Sequence, residues 1–330
     1  MKIFKNMYRI KTILLILLLV LTGCSNSLNL NPGVGADEYY RLDLSDLDSK
    51  ANLGNLRVIT KDKYEFAQAK EKYNLDESYI IDETGLDTLN ISGSRQFSIE
   101  QFNQLSNILD EVANDKEVYI IDLRQENHGF VNGYPISYYK LHNWANRELS
   151  LEEIKSNQEK LFSHLENKNM TIYLKDDDEK ASKDNIELTV EEYISEEELI
   201  TNKGYKYINI PCVDHVWPSD ENIDMFINFV KTIDMDKVWL HFHCVAGEGR
   251  TGTFMCLYDM MKNPSISMKD ITYRQTKLGS NYPLYLQEKD NWKKELYQEK
   301  ADNFVLLYEY VQENYKDNYS ISWSDWKKNR

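Results

Sequence analysis

A ten-residue segment that follows a short apolar run constrains this chain more than any other feature. Val238 to His243 has the pattern of a buried strand, and Arg250 to Met261 has that of a helix. The segment that joins them reads His-Cys-Val-Ala-Gly-Glu-Gly-Arg-Thr-Gly, residues 243–252. A strand that leads through a short loop into a helix is typical of α/β folds, whose ligand sites lie at the carboxyl ends of parallel strands. The sequence therefore predicts an α/β fold with a site at this loop.

Other segments extend this α/β pattern in both directions. Apolar spacing and capping residues predict helices at 98–114, 150–168, from Ser219, at 250–261, 267–279 and about 290–315, and strands at 118–121 and 238–243. We expect a central, largely parallel sheet flanked by helices, within one domain that spans 38–330. Short β-rich pieces at 170–210 predict a small strand-rich insertion beside that sheet, to which part of 52–92 is a candidate contributor.

The composition of the loop suits it to hold a phosphate group. Gly247 and Gly249 permit backbone angles that turn successive N–H groups inward, and a helix begins directly after them. The loop residues expected to contact a bound phosphate through their backbone are Val245, Ala246, Gly247, Glu248 and Gly249. Arg250 follows at the first helical turn, where its guanidinium can bind two phosphate oxygens. We expect the Glu248 carboxylate to point outward, towards cations at the rim.

The same loop predicts a nucleophile at Cys244. A thiol that faces inward amides and a helix N-terminus has its pKa lowered, to about 3.5–7.5 in comparable settings, so it is a thiolate at neutral pH. Thr251 can donate a hydrogen bond to the sulfur and ease its departure in a second step. We expect His243 to brace the loop, because a thiolate needs no base.

A thiolate attack on phosphorus also requires an acid for the leaving oxygen. Asp214 follows a strand on a loop stiffened by Trp217 and Pro218, and can act as that acid and then as the base for hydrolysis.

Several strings of residues, taken together, resemble one family. Besides His-Cys-x5-Arg-Thr, the chain contains in collinear order Ile-Ser-Gly-Ser from 91, Asp-Leu-Arg-Gln-Glu-Asn-His-Gly from 122, Asp-His-Val-Trp-Pro from 214, Trp-Leu-His-Phe-His-Cys from 239 and Tyr-Arg-Gln from 273. This set resembles the bacterial protein-tyrosine-phosphatase-like inositol polyphosphate phosphatases, the cysteine phytases. The strings span most of the chain after the N-terminal segment.

This resemblance implies a cysteine-phosphatase core with a small barrel-like insertion, acting on phosphorylated inositol without a metal or other cofactor. By motif it assigns Cys244 as nucleophile, Arg250 as phosphate clamp and Asp214 as acid. It also implies that Lys289 and Lys293 bind the non-reacting phosphates, with His215 in contact with substrate. Lysines four apart share a helical face, which would let these two point together. The family's arginine near the mature N-terminus matches Arg41 or Arg57, and Asn143 stands where relatives carry Asp.

The N-terminal residues predict export. Lys2, Lys5, Arg9 and Lys11 precede an apolar run from Ile13 to Leu21, which is too short for a membrane-spanning helix but suits a signal peptide. Leu-Thr-Gly-Cys at 21–24 resembles a lipobox. We therefore expect a signal peptide at 1–23, a lipid-carrying tether at 24–37 with the lipid on Cys24, and a protein anchored to the outer face of a bacterial membrane.

Charge and cysteine content narrow the function further. The chain has a net charge of −15, and removal of residues 1–23 takes away four basic and no acidic residues, which leaves −19. Such an acidic protein is a poor nucleic-acid binder, so any phosphate site must be a local basic pocket.

After Cys24, three cysteines remain: Cys212, Cys244 and Cys256. A disulfide between Cys212 and Cys244 is conceivable, but we expect Cys212 to be a plain buried thiol.

Three functions are compatible with these residues. The favoured one is stepwise dephosphorylation of inositol polyphosphates, including phytate, through a cysteinyl-phosphate. The second is a protein tyrosine or dual-specificity phosphatase that uses the same three residues. The third is a lipoprotein that captures phosphate esters without turnover, which Cys244, Asp214 and Arg250 argue against because a binder needs neither thiolate nor acid.

Overall fold

A computed structural model describes residues 29–44, 52–60, 64–174, 180–287 and 289–330. Asn31 to Arg330 form one compact unit. The predicted signal peptide at 1–23, the lipidation site Cys24 and the first part of the tether lie outside the described residues. Among the helices in the described part of the chain, none is long and apolar enough to span a membrane.

A five-stranded sheet forms the centre of the unit, in the order β10–β4–β11–β3–β2. The four strands β10, β4, β11 and β3 run parallel, and β2 pairs antiparallel with β3 at the edge. The bounds of these strands are β2 Arg57–Ile59, β3 Ile91–Arg95, β4 Glu117–Arg124, β10 Lys206–Cys212 and β11 Val238–Cys244. Every residue of β11 is buried, as its unbroken apolar character predicts for a central parallel strand.

Helices cover both faces of this sheet, so the predicted α/β architecture is confirmed. One apolar core joins Ile120 and Trp239 to helices α1 (Ile99–Ala113) and α3 (Glu196–Asn202). The other core lies between the opposite face of the strands and five further helices. Their bounds are α4 Asp220–Thr232, α5 Arg250–Lys262, α6 Met268–Lys277, α7 Lys294–Asn314 and α8 Trp323–Lys328. Because the strands alternate their side chains between faces, neighbouring residues of one strand serve different cores.

A second, six-stranded sheet lies beside the first, in the order β8–β7–β1–β6–β5–β9. It is antiparallel except where β1 pairs parallel with β7. Its strands are β1 Glu38–Leu42, β5 His128–Val131, β6 Tyr134–Lys140, β7 Asn169–Tyr173, β8 Asn185–Thr189 and β9 Tyr193–Ile194. Helix α2 (Leu151–Phe162) lies between β6 and β7 in the chain.

The membership of this second sheet differs from the expectation for the strand-rich insertion. Within 170–210, the segment Lys206–Cys212 belongs to the central sheet, because it pairs in parallel with β4. Residues 52–92 supply β2 and the start of β3, which also belong to the central sheet. The second sheet instead recruits Glu38–Leu42 and the hairpin of β5 and β6. These partners are about 100 residues apart in the chain, so no local pattern links them.

The predicted helices are present, with one shifted start that affects the site. Ser98 and Gln101 form the predicted capping box before α1. Helix α7 begins at Lys294 and not near Asp290, since Lys293 is its N-cap. Lys289 and Lys293 therefore precede the helix, and the helical spacing that was expected to align them does not apply.

Candidate active site

The loop from Cys244 to Arg250 wraps around the end of β3. Gly247 has φ +69°, and a Cβ there would lie 2.4 Å from the carbonyl carbon and oxygen of Ser94 and 2.5 Å from the nitrogen of Arg95. Glycine is therefore required at this position both by backbone angle and by space. Gly249 is different: its φ is −81°, which any residue adopts, and a Cβ there would meet nothing closer than 3.7 Å. The prediction that both glycines supply unusual backbone angles is right for Gly247 and wrong for Gly249.

Hydrogen bonds from outside the loop hold its carbonyl groups away from the cavity. The Asn55 side chain donates to the carbonyls of Gly247 at 3.0 Å and Ala246 at 3.4 Å. The backbone N–H of Gln96 donates to Val245, and that of Asn281 donates to Glu248. Because each peptide unit points its N–H opposite to its C=O, these bonds leave loop amides available to an anion in the cavity.

Cys244 lies at the base of this cavity with a hydrogen bond to its sulfur. The Thr251 hydroxyl is 3.2 Å from Sγ of Cys244, as expected for a group that eases departure of the sulfur. Cys212, Cys244 and Cys256 are all free thiols, so the conceivable disulfide between Cys212 and Cys244 is not formed. Burial raises the pKa of Cys212 and of Cys256, which keeps both thiols protonated and leaves Cys244 as the candidate nucleophile.

The guanidinium of Arg250 is held by a buried carboxylate, Glu126, for which the sequence predicted no role. Glu126 accepts two hydrogen bonds from Arg250, at 2.7 and 3.0 Å, and a third from Arg124 at 3.0 Å. Burial opposes ionisation of Glu126, but the two arginines outweigh it and hold the pKa of this carboxyl below its usual range. The pair fixes the plane of the Arg250 guanidinium before any substrate binds.

Asp214 is close to the same guanidinium. Its Oδ2 atom is 3.4 Å from Nη2 of Arg250 and accepts a hydrogen bond of 2.8 Å from the side chain of Asn143. The indole of Trp144 donates to the Asp214 carbonyl at 2.8 Å, which fixes the backbone of the loop. Burial opposes ionisation, but Arg250 first, with help from the Asn143 hydrogen bond, holds the pKa of Asp214 below its usual range. Asp214 is thus a carboxylate when Arg250 has no anionic ligand.

The two histidines predicted at the site have different surroundings. His215 lines the cavity, and burial, with a contribution from nearby cations, lowers its pKa to about 4. It is therefore a neutral hydrogen-bonding group at pH 7. His243 is fully buried, with its Nε2 atom 2.6 Å from Glu196, and does not line the cavity. This position favours the predicted bracing role over that of a base.

The cavity above Cys244 has a volume of about 660 Å³ and a basic lining. Its basic residues outnumber its acidic ones, Asp43, Asp214 and Glu248, although the chain as a whole is acidic. The basic residues are Arg41, Lys72, Arg95, Arg250, Lys293 and Lys300. The Glu248 carboxylate is 2.5 Å from Lys70, as expected for a side chain directed towards cations at the rim. The local pocket required by the net charge is therefore present.

Not every predicted cation belongs to this lining. Lys293 lines the cavity, with its ammonium 4.9 Å from the ring centre of Trp292, but Lys289 is exposed and does not line it. Sequence reasoning missed Lys72, Arg95 and Lys300, which come from three distant segments. Glu126 was not predicted either. Its position was a signal, because it follows the carboxyl end of β4, the neighbour of β11, where ligand sites of parallel sheets lie.

A buried group behind the loop has ligand atoms close enough together to hold a cation: Asp122, His128 and Glu196, within the described residues. His128 Nε2 is 3.3 Å from an oxygen of each carboxylate. Burial and Arg124 oppose its protonation, but these two contacts outweigh them and raise its pKa to about 10. The imidazolium therefore compensates the carboxylates itself.

Comparison with known proteins gives a consistent set of relatives. The family model of the PTP-like phytases, whose description is "inositol hexakisphosphate", matches residues 121–262. Two solved chains from Mitsuokella multacida are similar over 91% of this chain and 50% of their own length. One is a tandemly repeated PTP-like phytase (36% identity, TM-score 0.81), and the other is a PTP-like myo-inositol phosphatase in complex with myo-inositol-(1,3,4,5)-tetrakisphosphate (35%, TM-score 0.79).

Two further relatives have lower identity. A PTP-like phytase from Bdellovibrio bacteriovorus has 27% identity over 90% of this chain and 97% of its own, with a TM-score of 0.67. The effector protein HopD2 of Pseudomonas syringae pv. tomato has 27% identity over 251 residues, 74% of this chain and 52% of its own. The chain thus spans about half the length of HopD2 and of the Mitsuokella chains.

Proposed function

The chain belongs to the PTP-like phytase family, and from that premise we propose that it is a cysteine-dependent phosphatase that hydrolyses phosphate monoesters of inositol polyphosphates, including phytate. The observation that carries the proposal is the basic cavity of about 660 Å³ directly above Cys244, in a chain of net charge −15. A phosphotyrosine needs one phosphate site. A polyphosphorylated ring needs cations on several sides, and this cavity has them on four separate chain segments besides Arg250.

The first chemical step follows from the loop geometry. The phosphate to be removed binds the loop amides and Arg250, and the Cys244 thiolate attacks phosphorus in line. The P–O bond to the inositol ring breaks as the P–S bond forms, and the leaving oxygen takes a proton from Asp214. The result is a cysteinyl-phosphate and an inositol with one phosphate fewer.

Substrate binding itself prepares Asp214 for this role. In the absence of an anion, Arg250 holds the pKa of Asp214 low. A bound phosphate dianion neutralises the field of Arg250 and adds a negative charge beside Asp214, and both effects raise the pKa of its carboxyl. Asp214 is therefore protonated when the acid is needed.

The second step returns the enzyme to its starting state. Asp214, now a carboxylate, removes a proton from a water molecule that attacks phosphorus. The P–S bond breaks, and inorganic phosphate leaves. The hydroxyl of Thr251 donates to the departing sulfur at the same 3.2 Å contact. Atoms and charges balance over the two steps, with water as the only co-reactant.

The test compares two substrates on the purified protein. Phytate and a phosphotyrosine peptide are supplied at matched concentrations with a chelator present, and released phosphate is measured against a Cys244→Ser control. We expect release from phytate, faster than from the peptide and absent in the control. Faster turnover of the peptide would favour the protein phosphatase alternative. Release that survives Cys244→Ser, or no release from either substrate, would overturn the cysteine mechanism.

We also propose that the protein is a lipoprotein, secreted and anchored to the outer face of a bacterial membrane through Cys24. The support is the basic start, the apolar run and the Leu-Thr-Gly-Cys sequence at 21–24. Expression of the whole chain and of Cys24→Ala, followed by membrane fractionation and labelling with a radioactive fatty acid, tests this. Label on Cys24→Ala equal to that on the wild type would contradict the assignment.

A further inference from the structure

Arg57, in the edge strand β2, is a buried cation on the protein side of the phosphate loop. It is 7% exposed and does not line the cavity. Within the described ranges its hydrogen bonds go to two uncharged acceptors, the Asn55 carbonyl at 3.2 Å and the Ser280 hydroxyl at 3.3 Å, and no carboxylate pairs with it. A buried charge without a counter-charge is costly, so its retention here requires a reason.

The fold provides a space for this guanidinium between helix α5 and the sheet, close to the carboxyl end of β11. Arg57 pairs with Gly93 of β3, and Gly93 pairs with Phe242 of β11, two residues before Cys244. A Cβ at Gly93 would lie 3.1 Å from Cζ of Arg57 and 2.8 Å from Sδ of Met255 in helix α5. The absence of a side chain at Gly93 thus leaves room for the guanidinium between the sheet and the helix that follows the loop.

The candidate counter-charges near Arg57 reduce to one. Burial lowers the pKa of Arg57 to about 10, and the groups that most oppose this shift are Cys244, Cys256 and Glu248. Burial keeps Cys256 protonated and neutral. Glu248 is already paired with Lys70 at the rim. The Cys244 sulfur is the remaining group that can carry a negative charge towards Arg57.

We infer that Arg57 is a positioning residue that stabilises the Cys244 thiolate from the side of the loop opposite the cavity. The inference rests on the nucleophile of the proposed function but not on its substrate. The two arginines then have different roles. Arg250 has a full carboxylate partner in Glu126 and faces the substrate, whereas Arg57 has none and acts on the sulfur. Asn55 contacts both the loop and Arg57. Its side-chain amide donates to the loop carbonyls, and its backbone carbonyl accepts a hydrogen bond from Arg57.

The experiment measures thiolate formation directly, without any phosphate ester. The rate of alkylation by iodoacetamide is recorded against pH for the wild-type protein, with Cys244→Ser as the blank for the two buried thiols. In Arg57→Met the midpoint of this pH profile is expected to rise by about one pH unit or more, because the variant lacks a buried positive charge that favours the thiolate. Arg57→Lys keeps the charge and is expected to shift the midpoint less.

Two controls separate this electrostatic role from a structural one. Ser280→Ala removes a hydrogen bond of Arg57 but not its charge, so it should lower thermal stability without moving the midpoint. Lys237→Met removes an exposed cation next to the start of β11, where water screens the charge, and should also leave the midpoint unchanged. If Arg57→Met does not fold, Arg57→Gln, which can still bond to Ser280, replaces it.

The outcomes are distinct. A midpoint in a folded neutral variant within about 0.3 pH units of the wild type overturns the inference, whatever the loss of stability. An equal shift in Ser280→Ala also overturns it, since the hydrogen bond and not the charge would then be responsible. A low midpoint in the wild type that rises in Arg57→Met supports the inference even if phytate is not hydrolysed, a result that would contradict the proposed substrate alone.

Discussion

The loop glycines allow a sharp test of the geometry of the site, because Gly247 and Gly249 are two residues apart and are expected to respond oppositely to the same substitution. In Gly247→Ala the new methyl group lies 2.4–2.5 Å from backbone atoms of Ser94 and Arg95, which cannot move without displacing β3. The φ of +69° adds a penalty for a residue with a Cβ. The left-handed backbone costs roughly 1–2 kcal/mol and the overlap roughly 1–3 kcal/mol, so the expected loss in the free energy of unfolding is about 2–5 kcal/mol.

Gly249→Ala is the matched control. Its φ of −81° suits alanine, and the nearest atom to the added Cβ is 3.7 Å away, so the free energy of unfolding should change by less than about 1 kcal/mol. Urea unfolding of both variants, followed by circular dichroism, measures the difference, and binding of inorganic phosphate reports on the loop. Equal stabilities for the two variants, or unimpaired phosphate binding by Gly247→Ala, would show that the loop does not wrap around β3 as described.

Three further predictions concern the charged groups of the cavity. Glu126→Gln leaves Arg250 buried without its carboxylate, so the free energy of unfolding should fall by about 3 kcal/mol in urea titrations and kcat/KM for phytate by roughly 100-fold; a variant as stable and active as the wild type would refute the role of the pair. Burial lowers the pKa of Lys300 to about 8, so its charge is present below that pH and lost above it; KM for phytate should rise between pH 7 and 9, and should rise less in Lys300→Arg, whereas identical profiles would contradict this. The Asn143 amide stabilises the carboxylate of Asp214, so Asn143→Asp should raise the pKa of Asp214 and move the alkaline limb of kcat to higher pH; a shift to lower pH would reverse the assigned sign.

The part of the site that the sequence could predict is the part that is contiguous. Cys244, Arg250 and Thr251 lie within eight residues, and one loop between a strand and a helix fixes their relative positions. Asp214 could be placed because a strand precedes it, and strand β10 does end at Cys212. Their chemical roles in catalysis remain predictions until the variants are assayed.

Several cations of the cavity could not be predicted, for a physical reason. Lys72, Arg95 and Lys300 come from three segments that only the tertiary fold brings together, and in the sequence each resembles an ordinary surface cation. The helical spacing of Lys289 and Lys293 misled for the same reason, because the helix begins one residue after Lys293. The strand membership of the second sheet was wrong for a similar reason. Strands β1 and β6 pair across about 100 residues, and no local sequence pattern indicates such a pairing.

A chain of mostly buried charges connects the second sheet to the loop that holds Cys244. The charges alternate in sign along this chain, and each member lies 2.7 to 3.4 Å from the next. In order, its members are Arg41, Asp43, Arg124, Glu126, Arg250 and Asp214. The first two belong to β1 and the residue after it, and the others lie at the carboxyl ends of central strands or on the segments that follow them. Because each buried charge is compensated by its neighbours, displacement of β1 would leave Arg124 without Asp43 and draw Glu126 away from Arg250. The orientation of the Arg250 guanidinium therefore depends on the docking of a sheet that contains neither Cys244 nor Asp214.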